Sequence, residues 1–244
     1  MMQDYERDTY GEKIAEIYDE LHPGVLAGTE AVETLAELAG QGPLLELGVG
    51  TGRLAVPLAE RGLRVTGVDI ARAMLDRMAA KPNGHLVEAV LADFGDLSLP
   101  DRYRLVVVAA DTFYLLPTQE QQVRCFASVA KLLTDDGAFV VEAFVPDRAR
   151  ATSGGVVVRK VTARSVVLGA STHDPAGQRI DGAQILIDAD GVRFAPASMR
   201  YVWPAELDLM ARLAGLTLAD RWGDWRRRPF GPDSLRHISV YRSR

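Results

Sequence analysis

The sequence predicts an α/β fold: a largely parallel sheet covered by helices on both faces, with an antiparallel β insertion late in the chain. Three observations predict it. Between residues 44 and 144 short apolar runs alternate with helical patterns, the mark of parallel strands joined by crossover helices. The first run opens directly into Glu46-Leu47-Gly48-Val49-Gly50-Thr51-Gly52, a tight turn of nearly bare backbone placed before a helix. After residue 146 the helical patterns stop, and strands punctuated by turn residues follow one another. The chain thus divides into an N-terminal helical arm or lid (1–42), a core (43–146), the antiparallel insertion (147–202) and a C-terminal segment that completes the core sheet (203–244).

In the arm, Ile14, Ile17, Tyr18 and Leu21 recur at helical spacing, so 9–21 reads as one amphipathic helix, stopped by His22-Pro23-Gly24. A second helix runs to about Ala39, with Leu26, Val32, Leu35 and Leu38 turned inward. Strand Leu44–Leu47 follows, then the glycine turn and a helix over Leu54–Arg61, in which Pro57 falls near the tolerant first turn. Arg64–Val68 is the next strand, ending in Asp69, and Arg72–Ala79 is helical with Met74, Leu75 and Met78 on one side. Leu86–Ala92 ends in Asp93-Phe94, and Leu105–Ala110 is an uninterrupted apolar strand. Thr118-Gln119-Glu120-Gln121 is a capping box opening a helix, and Asp136-Gly137 turns the chain into Ala138–Phe144.

Within the insertion, Val156–Val161, Ser165–Ala170, Ala183–Ile187 and Val192–Met199 read as strands. Asp174-Pro175-Ala176-Gly177 and Asp188-Ala189-Asp190-Gly191 are the turns between them. The α/β pattern then returns as helix Pro204–Ala214, strand Leu216–Trp222 and strand His237–Tyr241.

Composition narrows the functional classes. A net charge of −5 gives no global basic field to recruit nucleic acid, and Arg226-Arg227-Arg228 is too short a run to serve as a phosphate footprint. The single cysteine, Cys125, excludes an intrachain disulfide and any multi-cysteine metal site, and no metal is expected. No apolar run approaches the roughly 18 residues of a membrane span, so no membrane partner is expected and the cytoplasm is the expected compartment. Antiparallel edges invite pairing, which makes a homodimer an expectation as well.

The motif Glu46-x-Gly48-x-Gly50-x-Gly52, with Asp69 closing the next strand and Asp93 the one after, resembles the class I S-adenosylmethionine (SAM) methyltransferases. The dinucleotide fingerprint G-x-G-x-x-G fits less well, because its third glycine position holds Arg53. An NAD(P)-dependent oxidoreductase and a non-catalytic SAM-binding regulatory protein are the alternatives. The resemblance implies a Rossmann-like, seven-stranded class I methyltransferase sheet, SAM as cofactor and S-adenosylhomocysteine as product. It further implies a small-molecule branch, of natural-product or secondary-metabolism type, in which the insertion caps the acceptor site. The acceptor would be an aromatic, heteroaromatic or amine metabolite with an N, C or O nucleophile.

By the same resemblance, Glu46 meets the cofactor's ammonium, directly or through water, while Gly48, Gly50, Gly52 and Arg53 surround its methionine part. Asp69 accepts from the ribose hydroxyls and Asp93 from the adenine amino group. Ile70, Met74 and Phe94 pack beside the ring, Ala110 stands at the fourth strand end, and Tyr18 closes over from the arm. Tyr10, Phe113, Tyr114 and Trp203 form the expected acceptor wall. Tyr10 and His237 are the candidates for handling a proton, although an already activated methyl group asks mainly for alignment. Asp111 is followed by no Pro-Pro, which sets the chain apart from the methyltransferases of exocyclic adenine amines and glutamine.

Overall fold

The computed structural model describes residues 2–22, 29–146 and 154–243. Its strands are β1 (Leu44–Leu47), β2 (Val65–Asp69), β3 (Val87–Leu91), β4 (Tyr103–Val108), β5 (Leu133–Phe144), β6 (Gly155–Val161), β7 (Val166–Asp174), β8 (Arg179–Asp188), β9 (Gly191–Arg200), β10 (Leu216–Trp222) and β11 (Arg236–Ser243). Seven of them form one sheet in the order β10-β11-β5-β4-β1-β2-β3. β3, β2, β1, β4 and β5 are mutually parallel, and β11 runs antiparallel between β5 and β10. The order of strands along the chain reverses between β1 and β4. A crevice at the carboxyl ends of these two strands is therefore where such a sheet holds a ligand. β6 to β9 form a separate antiparallel sheet in sequence order.

Alternation of side chains along each strand supplies both faces of the large sheet. Leu45, Leu47, Val106, Val108, Phe139 and Val141 pack under α6 (Gln119–Leu132) and α7 (Pro204–Leu213), centred on Phe126. Leu44, Leu105, Val107, Val140 and Ile238 pack under α3 (Thr29–Ala39) and α4 (Ala55–Glu60). Half of the capping box forms: the Gln121 amide donates to Thr118 Oγ1, while Gln121 Oε1 accepts from that hydroxyl rather than from the Thr118 amide.

Three elements differ from the sequence reading. The arm is not one helix: α1 (Thr9–Ile14) and α2 (Tyr18–Leu21) are separated by a tight turn in which the Ile17 amide donates to the Ile14 carbonyl. That turn lets both isoleucines sink into one cluster with Ala71 and Met74 on one side and Val167, Leu186 and Ala195 of the small sheet on the other. β5 begins at Leu133 rather than Ala138. Tyr103 pairs with Leu133 and Leu105 with Ala138, so residues 134–137 bulge within the strand instead of preceding it. The strands of the small sheet are also longer than their apolar cores suggest, because backbone pairing continues through Thr172, His173 and Asp181. Leu26 lies outside the described residues.

Tyr114 shows how the core holds the strand ends. Its hydroxyl lies within hydrogen-bond distance of the Phe144 carbonyl at 2.9 Å and the Val202 carbonyl at 3.1 Å, linking the turn after β4 to the end of β5 and to the entry of α7. Tyr114→Phe should destabilise the protein by about 1–2 kcal/mol, since two carbonyls lose a shared donor. A chemical denaturation midpoint equal to wild type would contradict that assignment.

Candidate functional site

The crevice at the reversal point holds a cavity of about 620 Å³, counted out to its open mouth. The core lines it with Gly48 and Gly50 of the glycine turn, Asp69 and Ile70 at the end of β2, Met74 of α5 (Arg72–Ala79), Asp93 and Phe94 after β3, and Thr112 and Leu115 after β4. The arm lines it with Arg7, Tyr10, Gly11 and Tyr18.

Local sequence explains each wall. Gly48, Gly50 and Gly52 all have left-handed φ (69°, 53° and 76°), which side chains other than glycine's rarely adopt. A Cβ on Gly48 would also stand 2.2 Å from Thr112 Cγ2, and one on Gly52 would stand 2.6 Å from Met78 Cγ. The Asp69 carboxylate is buried and accepts from the Gly50 amide at 2.8 Å and the Ala71 amide at 2.9 Å. It therefore fixes the glycine turn and the start of α5 at once. Burial pushes its pKa above the ordinary carboxylate range, while these amides oppose the shift. Asp93 accepts from the Gly95 amide at 2.7 Å and from Arg7 Nη2 at 2.6 Å, and its second oxygen pairs with Arg7 Nη1.

Two polar atoms near the glycine turn are buried without partners: Glu46 Oε2 and Arg53 Nη1. Arg53 lies over the Tyr18 ring, 5.9 Å from its centre. Burial raises the Tyr18 phenol to about 12 against the opposing pull of Arg53, with Glu46, Asp19 and Asp69 adding to the rise. Burial raises the Tyr10 phenol further, so both tyrosines stay neutral at physiological pH. The Glu46 carboxyl is raised to about 8 by burial above all, with a hydrogen bond from the Ala55 backbone amide opposing and Asp69 adding.

At the end of β4, Ala110 and Asp111 both take left-handed φ (55° and 66°), a strained pair of non-glycine residues. A half-buried charge cluster built on the buried Glu142 holds them there. Glu142 Oε2 accepts from the Ala110 amide at 2.7 Å, and Asp111 Oδ1 accepts from the Phe144 amide at 2.7 Å. Arg236 of β11 donates to Asp111 Oδ1 and to Glu142 Oε1, both at 2.8 Å. The strained turn delivers Thr112 against Gly48.

The arm is tied across the site at several points. Gly11 packs so closely on Ala71 that a Cβ there would stand 2.4 Å from Ala71 Cβ. Glu12 accepts from the Ala73 amide, and Asp19 accepts from Thr51 Oγ1 at 2.8 Å and pairs with Lys81 at 2.6 Å. His22 meets Gln184 of β8 at 3.1 Å. No described residue of the insertion lines the cavity. The small sheet backs it from behind, through the arm, which lies between that sheet and α5, and through β9, which packs on the turn after β4.

The structure thus brings together Tyr10, Tyr18, Gly48, Gly50, Asp69, Ile70, Met74, Asp93 and Phe94 around one cavity. Glu46, Gly52, Arg53 and Ala110 support its walls without lining it. It does not bring Phe113, Tyr114, Trp203 or His237 there. Phe113 and Tyr114 are fully buried in the core cluster below the crevice, because the turn after β4 rolls them under the sheet edge and exposes Thr112 and Leu115 instead. Trp203 is 40% exposed and precedes α7 as its N-cap. His237 is wholly buried in β11 beside Phe230, with Nδ1 3.0 Å from Ser239 Oγ. Burial, then Arg221 and Arg236, lower its pKa to about 3. A neutral imidazole sealed in the sheet takes no proton from a substrate. Arg7, Gly11, Thr112 and Leu115 escaped the sequence reading. A glycine inside a helical pattern marks a close approach, so Gly11 alone carried a usable signal.

Residues 44–137 match a family model for a methyltransferase domain. The chain is 32% identical to the cypemycin N-terminal methyltransferase of a Streptomyces species, over 95% of this chain and 96% of that protein. Among solved structures, the CcbJ methyltransferase from Streptomyces caelestis matches 98% of this chain and 99% of its own, with 41% identity and a TM-score of 0.91. DesVI of Streptomyces venezuelae, 21% identical with a TM-score of 0.73, covers 94% of this chain and 98% of its own and shares the fold.

The Glu46 carboxyl gives the site a pH signature. Its pKa is raised on folding from about 4.5 to about 8, so its contribution to stability is full below pH 4.5 and is lost as pH rises through 8. His237 acts in the opposite sense, with stability present above pH 6.5 and lost as pH falls toward 3. Between pH 6.5 and 8 the ligand-free protein should therefore lose thermal stability, and Glu46→Gln should flatten that decline. Equal slopes of Tm against pH for both proteins would refute the assignment.

Proposed function

The chain belongs to the class I S-adenosylmethionine-dependent methyltransferases, and from that membership we propose that it methylates the amine nitrogen of a small natural-product-type acceptor, with catalysis by positioning. It is an enzyme, and SAM is its methyl donor. The observation that carries the reading is the cavity itself, where the ends of β1, β2 and β3 present the glycine turn, Asp69 and Asp93 to one space.

The residues present fit the donor. Glu46 Oε2 and Arg53 Nη1, buried and unpartnered beside the glycine turn, suit the ammonium and carboxylate of a methionine moiety. The Asp69 carboxylate keeps lone pairs beyond its two amide bonds for a ribose diol. Asp93 and Phe94 offer an acceptor and a ring face to adenine. When bound, the donor supplies a methyl group on a sulfonium, already activated for in-line displacement. The chain's part is then to bind, align and exclude water. Thr112 and Leu115 supply the wall after β4, and Tyr10 and Tyr18 roof the cavity from the arm. Both phenols are held neutral, so they serve as hydrogen-bond partners rather than bases. Tyr10 is the residue we assign to orient the acceptor.

An amine acceptor needs no strong base, since its unprotonated form carries the nucleophilic pair, and His237 is too buried to act as one. The relative named for N-terminal methylation of cypemycin supports a nitrogen acceptor, including the terminal amine of a short peptide. Nucleic acid has no place in this reading: Arg226 and Arg227 pair with Glu30 and Glu37 of α3, and Arg228 pairs with Asp224. None of the described helices is long and apolar enough to cross a membrane.

We further assign the outer face of the small sheet to a second copy of the chain. Register places Val156, Val158, Val161, Val192 and Phe194 on that one face, and each is more than half exposed. An apolar patch of this kind is seldom left uncovered in a soluble protein. Light scattering should find a dimer that Val158→Asp with Phe194→Asp converts to monomer; a wild-type monomer would dismiss the idea.

Asp69→Ala should weaken SAM binding in calorimetry by about 1–3 kcal/mol, the range for losing hydrogen bonds to a charged acceptor. Unchanged affinity in the folded variant would remove the ribose role. A panel of free-amine acceptors and their N-acetylated counterparts, read by mass spectrometry, should give methylated product only from the free amines. Product with methyl on oxygen or carbon would overturn the nitrogen assignment.

A further inference from the structure

Arg7 is the one cation lining the cavity among the described residues, and no role derived above uses it. It arrives from the arm, just ahead of α1, and places both terminal nitrogens on the two oxygens of Asp93. The Gly95 amide shares one of those oxygens at 2.7 Å. The guanidinium is seated directly on that turn: a Cβ on Gly95 would meet Arg7 Nη2 at 3.2 Å. Arg7 Nε is buried and without a partner. Both side chains are about one-third exposed, 31% and 32%. Ion pairs so placed contribute little to stability, so the consequence of this one is geometric. Holding the arm does not require it, because Gly11, Glu12 and Asp19 already fasten the arm to α5 and to the glycine turn.

We propose that Arg7 is a positioning residue for the cofactor's base: by gripping both Asp93 oxygens it makes that carboxylate a fixed, acceptor-only contact, and so sets the preference for a 6-amino over a 6-oxo purine. The proposal rests on the reading that Asp93 faces the adenine amino group. A carboxylate fixed by a two-toothed guanidinium and a backbone amide neither rotates nor turns its edge into a donor. The one lone pair left, on the second oxygen, then accepts from an exocyclic amine and repels a carbonyl oxygen in the same place. Freed of Arg7, the carboxyl beside Phe94 could rotate, or take up a proton and donate to that carbonyl, and discrimination between the two bases would fall. The planar fork matters here, because a lysine ammonium is a point charge that cannot grip both oxygens in one plane.

The test is calorimetric titration of wild type, Arg7→Met, Arg7→Lys and Asp93→Asn with S-adenosylhomocysteine and with S-inosylhomocysteine, its 6-oxo counterpart. Wild type should prefer the adenine ligand by about 100-fold or more, as sites built around a hydrogen-bonded group do. Arg7→Met should cut that ratio to about tenfold or less, chiefly by losing S-adenosylhomocysteine, with Arg7→Lys falling between the two. Asp93→Asn, whose amide both donates and accepts, should bring the ratio close to one. If Arg7→Met and Arg7→Lys weaken both ligands equally and leave the ratio intact, Arg7 only pins the arm and the proposal is wrong. If wild type binds both ligands without preference, the adenine reading of Asp93 fails and takes the proposal with it. If wild type binds neither, the assignment of the cavity to the donor itself is overturned.

Discussion

The Asp69 carboxylate is the constraint on which the site depends. One oxygen accepts from the Gly50 amide and the other from the Ala71 amide, so a single buried side chain joins the turn after β1 to the helix after β2. A buried charge is costly unless hydrogen-bonded, and these amides supply the bonds only while both segments keep their places. The three left-handed glycines follow from the same demand. The turn must pass close to Thr112 and Met78 while presenting its amides to the carboxylate, and any side chain at Gly48 or Gly52 would collide. The crevice is thus held firmly at the glycine turn, where the proposed reaction by alignment would need rigidity.

A second, half-buried cluster stabilises the other wall. Arg236, Asp111 and Glu142 bind one another and two backbone amides, and the result is a strained turn at Ala110-Asp111 that a free chain would not adopt. The arginine comes from β11, the antiparallel strand inserted between β5 and β10. The last strand of the chain therefore shapes the cavity without touching it. His237, next to that arginine, is buried in the sheet and meets Ser239 Oγ.

The arm and the small sheet work as one unit. Ile14 and Ile17 fill the space between α5 and the strands β7, β8 and β9, while Tyr10, Gly11 and Tyr18 face the cavity. The sheet backs the arm, and its strand β9 also packs on the turn after β4. Asp19 clips the arm to the rim beside Thr51, and Arg7 reaches the rim beside Asp93.

The sequence by itself determined the α/β class, the glycine turn and the acids at the ends of β2 and β3. Those features are local: strand burial writes apolar runs, left-handed φ demands glycine, and a strand end places the next residue in the crevice without help from distant contacts. The antiparallel character of the small sheet was legible for the same reason, in its turn residues and in the absence of helical spacing. What only the tertiary structure decided was which side chains turn into the cavity beyond those strand ends. Phe113 and Tyr114 are two and three residues past a left-handed pair that no composition or periodicity announces, and that pair rolls them into the core. Trp203 caps a helix on the surface, because Pro204 at the first helical position ends the preceding extended chain there. Arg7 carries no local signal at all. Its place opposite Asp93 depends on the arm's break at Ala15–Ile17, on the burial of two isoleucines against Val167, Leu186 and Ala195 of the small sheet, and on close packing at Gly11. Contacts that distant are fixed by the packing of whole elements, and no short stretch of sequence encodes them.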